Sequence, residues 1–434
     1  MNTVENIKVR YQQLQAKNGS SVLTPIEENA FNAFTKLGIP TVRHEEWKYT
    51  RISSLFNKEY AIQEKRQKLE AKDLEFAILP GHHTSNVLTF VNGIYSTELS
   101  IIRSQALVVM PLEEAANNEY KEIVTQHLGH SSNYAKDGIN ALNTAFAQEG
   151  IFIQVKKGQL LEHPVYIYNI TDARFGNVLA QPRCLFHVAA GAQVHVAESF
   201  STIGAAESFT NAVMEVVIEK DAIVEYYKIQ ADAPYANQVS TTHFRQVGKS
   251  VLHTVTITLS GGIVRNNLSI AMEAEHSEAD LHGLYFIKGG SHVDNHTVVD
   301  NIKPHCLSNE LYKGVVDNNA TAIFNGKIFV QKDAQKTNAF QSNKNILLSD
   351  TATINTKPQL EIFADDVKCS HGCTIGQLDD EGMFYLRSRG VSEKTAKSLL
   401  IHAFAIDILN HIKLKPLRHY VDGLISERLE ISEA

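Results

Sequence analysis

The feature of the sequence that most constrains the fold is a series of strand-like runs recurring about every 30 residues. Each run is rich in β-branched and aromatic residues, as at 193–196, 223–227 and 251–255. A small or polar turn precedes several of them, at positions 192, 222, 250, 279, 320 and 352. One supersecondary unit stacks on the next at this spacing, so the repeat favours a parallel β-helix.

The repeat by itself leaves two other folds open. The interval from 279 to 320 is longer than the others. Short strands separated by turns are also compatible with a jelly roll or a stacked sandwich. Periodicity alone therefore does not choose between these folds and a β-helix.

Helical patterns lie on both sides of the strand-rich region. On the N-terminal side we expect Thr24 to cap a helix, with Glu27 completing a capping box and Gly38 ending the helix. On the C-terminal side, Ser392 is expected to cap an amphipathic helix, and a last helix follows Pro416. The apolar stripe of the Ser392 helix is predicted to contain Ala396, Leu399, Leu400, Ala403 and Ile406.

These patterns divide the chain into three parts. We predict an N-terminal helical domain over 1–80, a β-helix core over 81–375 and a C-terminal helical domain over 376–434. The predicted fold class is therefore mainly β, with a parallel β-helix flanked by α-helical domains.

Charge and hydrophobicity exclude several kinds of partner. The formal net charge is −7 and no run of Lys or Arg occurs, whereas nucleic-acid grooves and membrane-surface patches need clustered positive charge. No apolar stretch approaches the ~18 residues that a membrane span requires, and the N-terminus lacks the apolar region of a signal peptide. We therefore expect a cytoplasmic protein without nucleic-acid or membrane partners.

The most reactive-looking group of residues is Cys369-Ser370-His371-Gly372-Cys373. Four cysteines in 434 residues are too few for a disulfide framework, so thiols are expected. Thiolate and imidazole are ligands that iron–sulfur clusters and zinc prefer. In an extended strand, however, alternate side chains lie about 7 Å apart, which is too wide for one metal unless Gly372 lets the backbone bend.

Two interpretations of this segment follow. In the first, the segment is an incomplete site that bridges a multi-iron cluster or combines with ligands from another chain. Alternatively, its thiols pack at a domain junction beside a hydrogen-bonded histidine, because free cysteine behaves as a small buried hydrophobe.

A second set of metal-capable residues has a spacing that matches no known kind of metal site. It contains His292, Asp294, His296, His305 and Cys306. Histidine is common on strand faces, so we expect these residues to have structural roles.

Motifs for other chemistries are missing from the sequence. No G-x-x-x-x-G-K-[ST] loop is present, so any ATP-driven step must come from a partner. No G-x-S-x-G elbow occurs, and the acidic residues form no identifiable pair for glycoside hydrolysis. A β-helix carbohydrate-active enzyme and a zinc-binding protein remain the alternatives from other classes.

An ordered series of motifs runs through the chain and is densest from about residue 285 to 405. Its members are Phe324-Asn325-Gly326-Lys327-Ile328, Ala334-Gln335-Lys336-Thr337-Asn338-Ala339, Asn345-Ile346-Leu347-Leu348-Ser349, Pro358-Gln359-Leu360-Glu361-Ile362, Asp365-Asp366-Val367-Lys368-Cys369-Ser370-His371-Gly372 and Phe384-Tyr385-Leu386-Arg387-Ser388-Arg389-Gly390. This series resembles the SufB/SufD family of iron–sulfur cluster assembly proteins. The stretch Pro40-Thr41-Val42-Arg43-His44-Glu45-Glu46-Trp47-Lys48-Tyr49-Thr50 is similar to the SufD branch rather than to SufB.

The resemblance implies a right-handed parallel β-helix between two helical domains, in a non-catalytic scaffold subunit. It implies pairing with SufB and docking of the ATPase SufC on the C-terminal helices. His371 would face the SufB–SufD interface and hold a transient iron–sulfur cluster together with a SufB cysteine, and Cys369 falls at a neighbouring family cysteine. Cys373 departs from the family pattern, which has a small residue there. The resemblance does not decide whether a flavin takes part or whether the isolated chain forms a homodimer.

Overall fold

The centre of the computed structural model is a parallel β-solenoid of about eight turns, with helices towards both ends of the chain. The structure describes residues 3–18, 21–61 and 69–429. The predicted mainly β fold with a parallel β-helix is confirmed.

The β region begins with seven strands: β1 (Asn86–Val91), β2 (Ile94–Ile101), β3 (Leu107–Pro111), β4 (Ile151–Val155), β5 (Val165–Asp172), β6 (Val178–Ala180) and β7 (Arg183–Val188). The solenoid continues with β8 (Gln193–Ile203), β9 (Ser208–Ile218), β10 (Ile223–Ala231), β11 (Ala236–Gln246), β12 (Val251–Ser260), β13 (Ile263–Met272), β14 (Glu278–Ile287), β15 (His292–Asn301), β16 (Leu307–Val316), β17 (Thr321–Val330), β18 (Asn338–Leu347), β19 (Thr353–Ile362) and β20 (Lys368–Gly376).

From β8 onwards the chain alternates between two sheets. The even-numbered strands β8 to β20 pair in parallel in the first sheet, and the odd-numbered strands β9 to β19 pair in parallel in the second sheet. Each coil therefore contributes one strand to each sheet, and successive strands of the first sheet begin 27 to 31 residues apart. The side chains between the two sheets form the main hydrophobic core, and alternate residues of each strand point outwards.

The helices are α1 (Thr3–Asn18), α2 (Thr24–Leu37), α3 (Leu112–Ala116), α4 (Lys121–His127), α5 (Gly138–Thr144), α6 (Asp380–Ser388), α7 (Glu393–Leu409) and α8 (Lys415–Arg428). Residues of α1, α2 and α5 pack on Phe209 and Val239 of the second sheet. Residues of α7 and α8 pack on the outer face of the first sheet. Helices α3 to α5 fall within 81–375, where we had predicted only β-helix, and the three domain boundaries stay predictions.

Helix α2 ends at its predicted C-terminus, but the predicted N-terminal cap is wrong. Gly38 has a φ of 66°, and its N–H bonds to the carbonyl of Phe34 at 2.8 Å. At the other end the flanking residue is Leu23, with no side-chain cap, so the predicted capping box does not form. Glu27 is instead buried, and accepts a hydrogen bond from the backbone N–H of Gln148 at 2.8 Å. Burial raises the pKa of Glu27 to about 7, against the hydrogen bond from Gln148.

The C-terminal helices begin as predicted, but α7 buries a different face. The Ser392 side chain accepts a hydrogen bond from the N–H of Thr395 at 3.1 Å, which confirms the N-cap, and Pro416 lies in the first turn of α8. The buried residues of α7 are Ala396, Ser398, Ile401, Ala405, Ile408 and Leu409. Of the predicted stripe only Ala396 is fully buried, while Leu399 is 42% exposed.

Within the described ranges no helix is long and apolar enough to cross a membrane.

Candidate functional site

The segment that contains Cys369, His371 and Cys373 forms β20, the last strand of the first sheet. It pairs in parallel with β18 along one edge. In the described part of the chain no strand pairs with its other edge. The register runs without interruption from Lys368 to Gly376, so Gly372 does not bend the backbone.

The three candidate ligands share the inner face of the last coil. Their register partners in β18 are Ala339, Gln341 and Asn343, all of which are buried inside the solenoid. Residues paired in a parallel sheet point to the same face, so Cys369, His371 and Cys373 continue three interior stacks. Because the solenoid ends here, His371 and Cys373 are exposed and Cys369 is half-buried.

This arrangement does not by itself enclose a metal. Alternate residues of a straight strand lie about 7 Å apart, more than two ligands of one metal ion allow. Among residues 3–18, 21–61 and 69–429 no group of three His, Cys, Asp or Glu side chains is arranged to hold a metal ion. Burial raises the pKa of the Cys369 thiol, against a hydrogen bond from the backbone of Ala339. A metal at this face would therefore need ligands from another surface.

Apolar side chains are exposed on the same end of the solenoid. They are Phe340 of β18, Ile362 of β19, the following Phe363, and Ile375 of β20, each 41% or more exposed. The unpaired edge of β20 and these side chains are features of a surface that another chain can cover.

The second predicted set of residues separates into two places. His292, Asp294 and His296 lie on the outer face of β15, where the 3₁₀ turn Glu45–Trp47 and Thr50 dock. The other two residues are in the turn before β16. Cys306 is buried, with its thiol 3.4 Å from the carbonyl oxygen of Ala274, and His305 stacks on His276 with ring centroids 4.7 Å apart.

Asp294 is the centre of the docking contacts on β15. Its carboxylate accepts hydrogen bonds from the Thr50 hydroxyl at 2.5 Å and from Nη1 of Arg265 at 2.7 Å, and His296 Nε2 lies 2.9 Å away. Burial opposes ionisation, but the charges of His296 and Arg265 hold the pKa of Asp294 well below its usual range. These residues therefore tie the N-terminal segment to the solenoid, as the predicted structural role requires.

Arg265 extends the docking contacts to Trp47. The guanidinium carbon lies 3.8 Å from the centroid of the indole ring, and Nη1 donates to the carbonyl oxygen of Glu46 at 2.7 Å. The Glu46 carboxylate bonds to Lys327 at 2.5 Å, and the hydrogen bond from His296, with Lys327, lowers the pKa of Glu46 to about 2. Sequence reasoning did not single out Arg265, because a single basic residue on a strand carries no motif, and Lys327 entered only as part of the family motif at 324–328.

The C-terminal helices expose a second apolar surface. Phe384 and Tyr385 of α6 are 77% and 57% exposed, and Leu399 of α7 is half-exposed. The opposite side of α7 is anchored on the first sheet, where Lys313 of β16 bonds to Asp407 and to the carbonyl oxygen of Phe404.

Comparison with known proteins assigns the chain to a family. The family model described as "SUF system FeS cluster assembly, SufBD core domain" matches residues 169–404, and the "SufBD protein N-terminal region" matches residues 7–167. The chain belongs to the SufBD family. The core-domain match contains Cys369, His371 and Cys373. The SufBD N-terminal region contains the docking segment around Trp47, so the Asp294 contacts join the two family regions.

Individual relatives agree with this assignment. The chain is 32% identical to an iron–sulfur cluster assembly SufBD family protein of Synechocystis sp., over 97% of this chain and 94% of the relative. It is 29% identical to the iron–sulfur cluster assembly protein SufD of Escherichia coli, over 94% and 93%. It is also 29% identical to the chloroplastic protein ABCI7 of Arabidopsis thaliana, over 66% and 62%. The resemblance to the SufB/SufD family is therefore confirmed, and the chain is a SufD homologue in iron–sulfur cluster assembly.

Proposed function

We propose that this chain is a non-catalytic scaffold subunit that pairs with SufB and supplies His371 and Cys369 to a nascent iron–sulfur cluster at the subunit interface. The observation that carries the proposal is the uncovered last coil, where His371 and Cys373 lie on the inner face of the solenoid but are exposed to solvent. The cluster is cargo that is built there and passed on, and this chain provides only part of its ligand set.

The spacing of the ligands supports a site shared between two chains. Two side chains about 7 Å apart on one strand can each hold a different iron of a multi-iron cluster, whereas they cannot chelate one ion. The partner would cover the exposed Phe340, Phe363 and Ile375 and add strands to the unpaired edge of β20. A SufB cysteine would complete the ligand set, and the isolated chain could cover the same surface only with a second copy of itself.

The ATPase SufC is the second proposed partner. The sequence contains no phosphate-binding loop, so ATP hydrolysis must be supplied from outside. Phe384, Tyr385 and Leu399 offer an exposed apolar docking surface on α6 and α7. Because α7 is anchored on β16 through Lys313 and Asp407, movement at this surface would reach the solenoid as rigid-body motion. We propose that the complex works in the cytoplasm.

Anaerobic reconstitution with iron and sulfide, in the presence of SufB and SufC, tests the proposed ligands. His371→Ala should leave the complex and the melting temperature unchanged, because the side chain is exposed, but should lower the yield of cluster absorbance. Cys369→Ala should lower it as well. Cys373→Ala, on the same strand face, is the matched control and should have little effect. A His371→Ala complex that builds clusters at the wild-type rate and yield would refute the ligand role.

A further inference from the structure

The residue behind His371 inside the solenoid belongs to a stack of polar side chains. Glu310 of β16, Gln341 of β18 and His371 of β20 occupy the same register position in three successive coils of the first sheet. Glu310 and Gln341 are both buried. Since neighbouring strands lie about 4.8 Å apart, the three side chains form one continuous row that ends at the open face.

The first contact of this row is a directed hydrogen bond. Gln341 Nε2 donates to Glu310 Oε2 at 2.7 Å. The other amide atom, Gln341 Oε1, is buried and has no hydrogen-bond partner among the described residues. The next residue in register is His371, whose imidazole carries an N–H donor.

Glu310 differs from Glu198, another carboxylate inside the solenoid. Glu198 lies 3.9 Å from the ammonium group of Lys228, so an opposite charge compensates for its burial. In the described part of the chain Glu310 forms no ion pair, and Tyr312 is the titratable group that its charge affects. Burial raises the pKa of Glu310 to about 7, against the hydrogen bond from Gln341. An uncompensated carboxylate is costly in a core, which calls for a role beyond packing.

An ionised carboxylate can only accept hydrogen bonds, so it determines which way the amide of Gln341 points. The NH₂ group must face Glu310, and the carbonyl oxygen is left for the next coil. An acceptor at that position favours the imidazole tautomer whose proton points into the solenoid. The second ring nitrogen then keeps its lone pair on the exposed side, where a metal could approach.

We propose that Glu310 is a positioning residue that acts through Gln341: the Gln341 carbonyl oxygen, which has no partner in the part of the chain that the structure describes, accepts a hydrogen bond from the His371 ring and so holds the ring in a single tautomer with its N–H directed into the solenoid. The consequence for cluster binding rests on the proposed function, but the tautomer itself is a property of this chain alone. A glutamine at position 310 could donate as well as accept, so it would no longer impose one orientation on Gln341.

The test is ¹⁵N NMR of the histidine side chains in the full-length chain at about pH 8.5, where an ordinary histidine, with a pKa near 6.5, is neutral. The His371 signals are assigned from their loss in His371→Ala. In the wild type one tautomer should dominate. Glu310→Gln and Gln341→Met should each lower the tautomer ratio about five-fold, the effect expected from one hydrogen bond. Glu198→Gln is the control and should leave the ratio unchanged, because Glu198 is a buried carboxylate four coils before Glu310.

An unchanged ratio in a folded Glu310→Gln or Gln341→Met protein, checked by thermal melting, would overturn the proposal. The second variant keeps the test decisive if the first does not fold, because methionine fills the volume of glutamine without its amide. A ratio that falls while His371→Ala still builds normal clusters would support the positioning role and refute only the ligand role. A normal ratio in both variants together with failed assembly in His371→Ala would refute only the positioning role.

Discussion

The strongest single test of how the N-terminal region is attached to the solenoid is Asp294→Asn. The carboxylate is 2% exposed and bonds to Arg265, itself 3% exposed, and to Thr50. The amide keeps the size of the side chain but removes the charge, which leaves the guanidinium of Arg265 buried without its counter-ion. Breaking a buried pair in this way costs about 3–5 kcal/mol. We expect that loss to appear first as release of the segment around Trp47.

Trp47 provides a direct assay, because it is the only tryptophan in the chain and is 2% exposed. At denaturant concentrations that leave the wild type folded, the emission of Trp47 in Asp294→Asn should shift to the red, and its indole ring should become accessible to quenching by iodide. Glu45→Gln is the matched control: its bond to Lys357 is 2.6 Å long but lies at the surface, so its loss should not be measurable. Wild-type shielding of Trp47 and a wild-type denaturation midpoint in Asp294→Asn would refute the docking role.

Three further predictions concern the C-terminal helices, the solenoid interior and ATP. Ile401→Asp should lower the free energy of unfolding by about 4 kcal/mol because it buries an unpaired charge, whereas Leu399→Asp should leave thermal melting unchanged and weaken capture of SufC. The pKa of Glu310 is about 7 in the folded state against an ordinary 4.5, so the wild type loses stability as the pH rises from 4.5 to 7. In urea unfolding, Glu310→Gln should be more stable than the wild type by up to about 3 kcal/mol at pH 8, and no more stable than the wild type below pH 4.5. The chain purified without SufC should hydrolyse no ATP in a phosphate-release assay, and turnover abolished by a mutation in this chain would contradict that expectation.

The repeat was readable from the sequence, but its phase was not. Positions 192, 222, 250 and 279 lie at or next to the starts of strands in the first sheet, whereas 320 and 352 precede strands of the second sheet. The long interval from 279 to 320 therefore joined two series. The missing members of the first series are Cys306 and Thr337, which precede β16 and β18 and are buried. A cysteine and a threonine fill the same small interior space as alanine, but composition does not mark them as equivalent.

Polar residues inside the solenoid were the least predictable part of the candidate site. A pattern of alternating residues predicts that Glu310 and Gln341 face solvent, because charged and amide side chains are seldom buried. They face inwards because the register aligns them with Leu281 on one side and His371 on the other. The usable signal was the separation of positions 310, 341 and 371 by about one repeat.

The buried face of α7 was also not predictable. This helix carries apolar residues on several faces, so the sequence did not reveal that Ile401 rather than Leu399 packs on the sheet.

The position of the candidate site follows from the way a solenoid is built. Each coil covers the inner-face side chains of the coil before it, so ligands in any earlier coil would be sealed from both metal and partner. In the part of the chain that the structure describes, no coil follows the last one, which is why Ala339, Gln341 and Asn343 are buried while His371 and Cys373 are exposed. A partner that adds strands beyond β20 would act as one more coil and would enclose the same face. Opening and closing such a site then requires only that the two solenoid ends separate, with neither chain having to unfold, and this is the step that ATP-driven motion could supply.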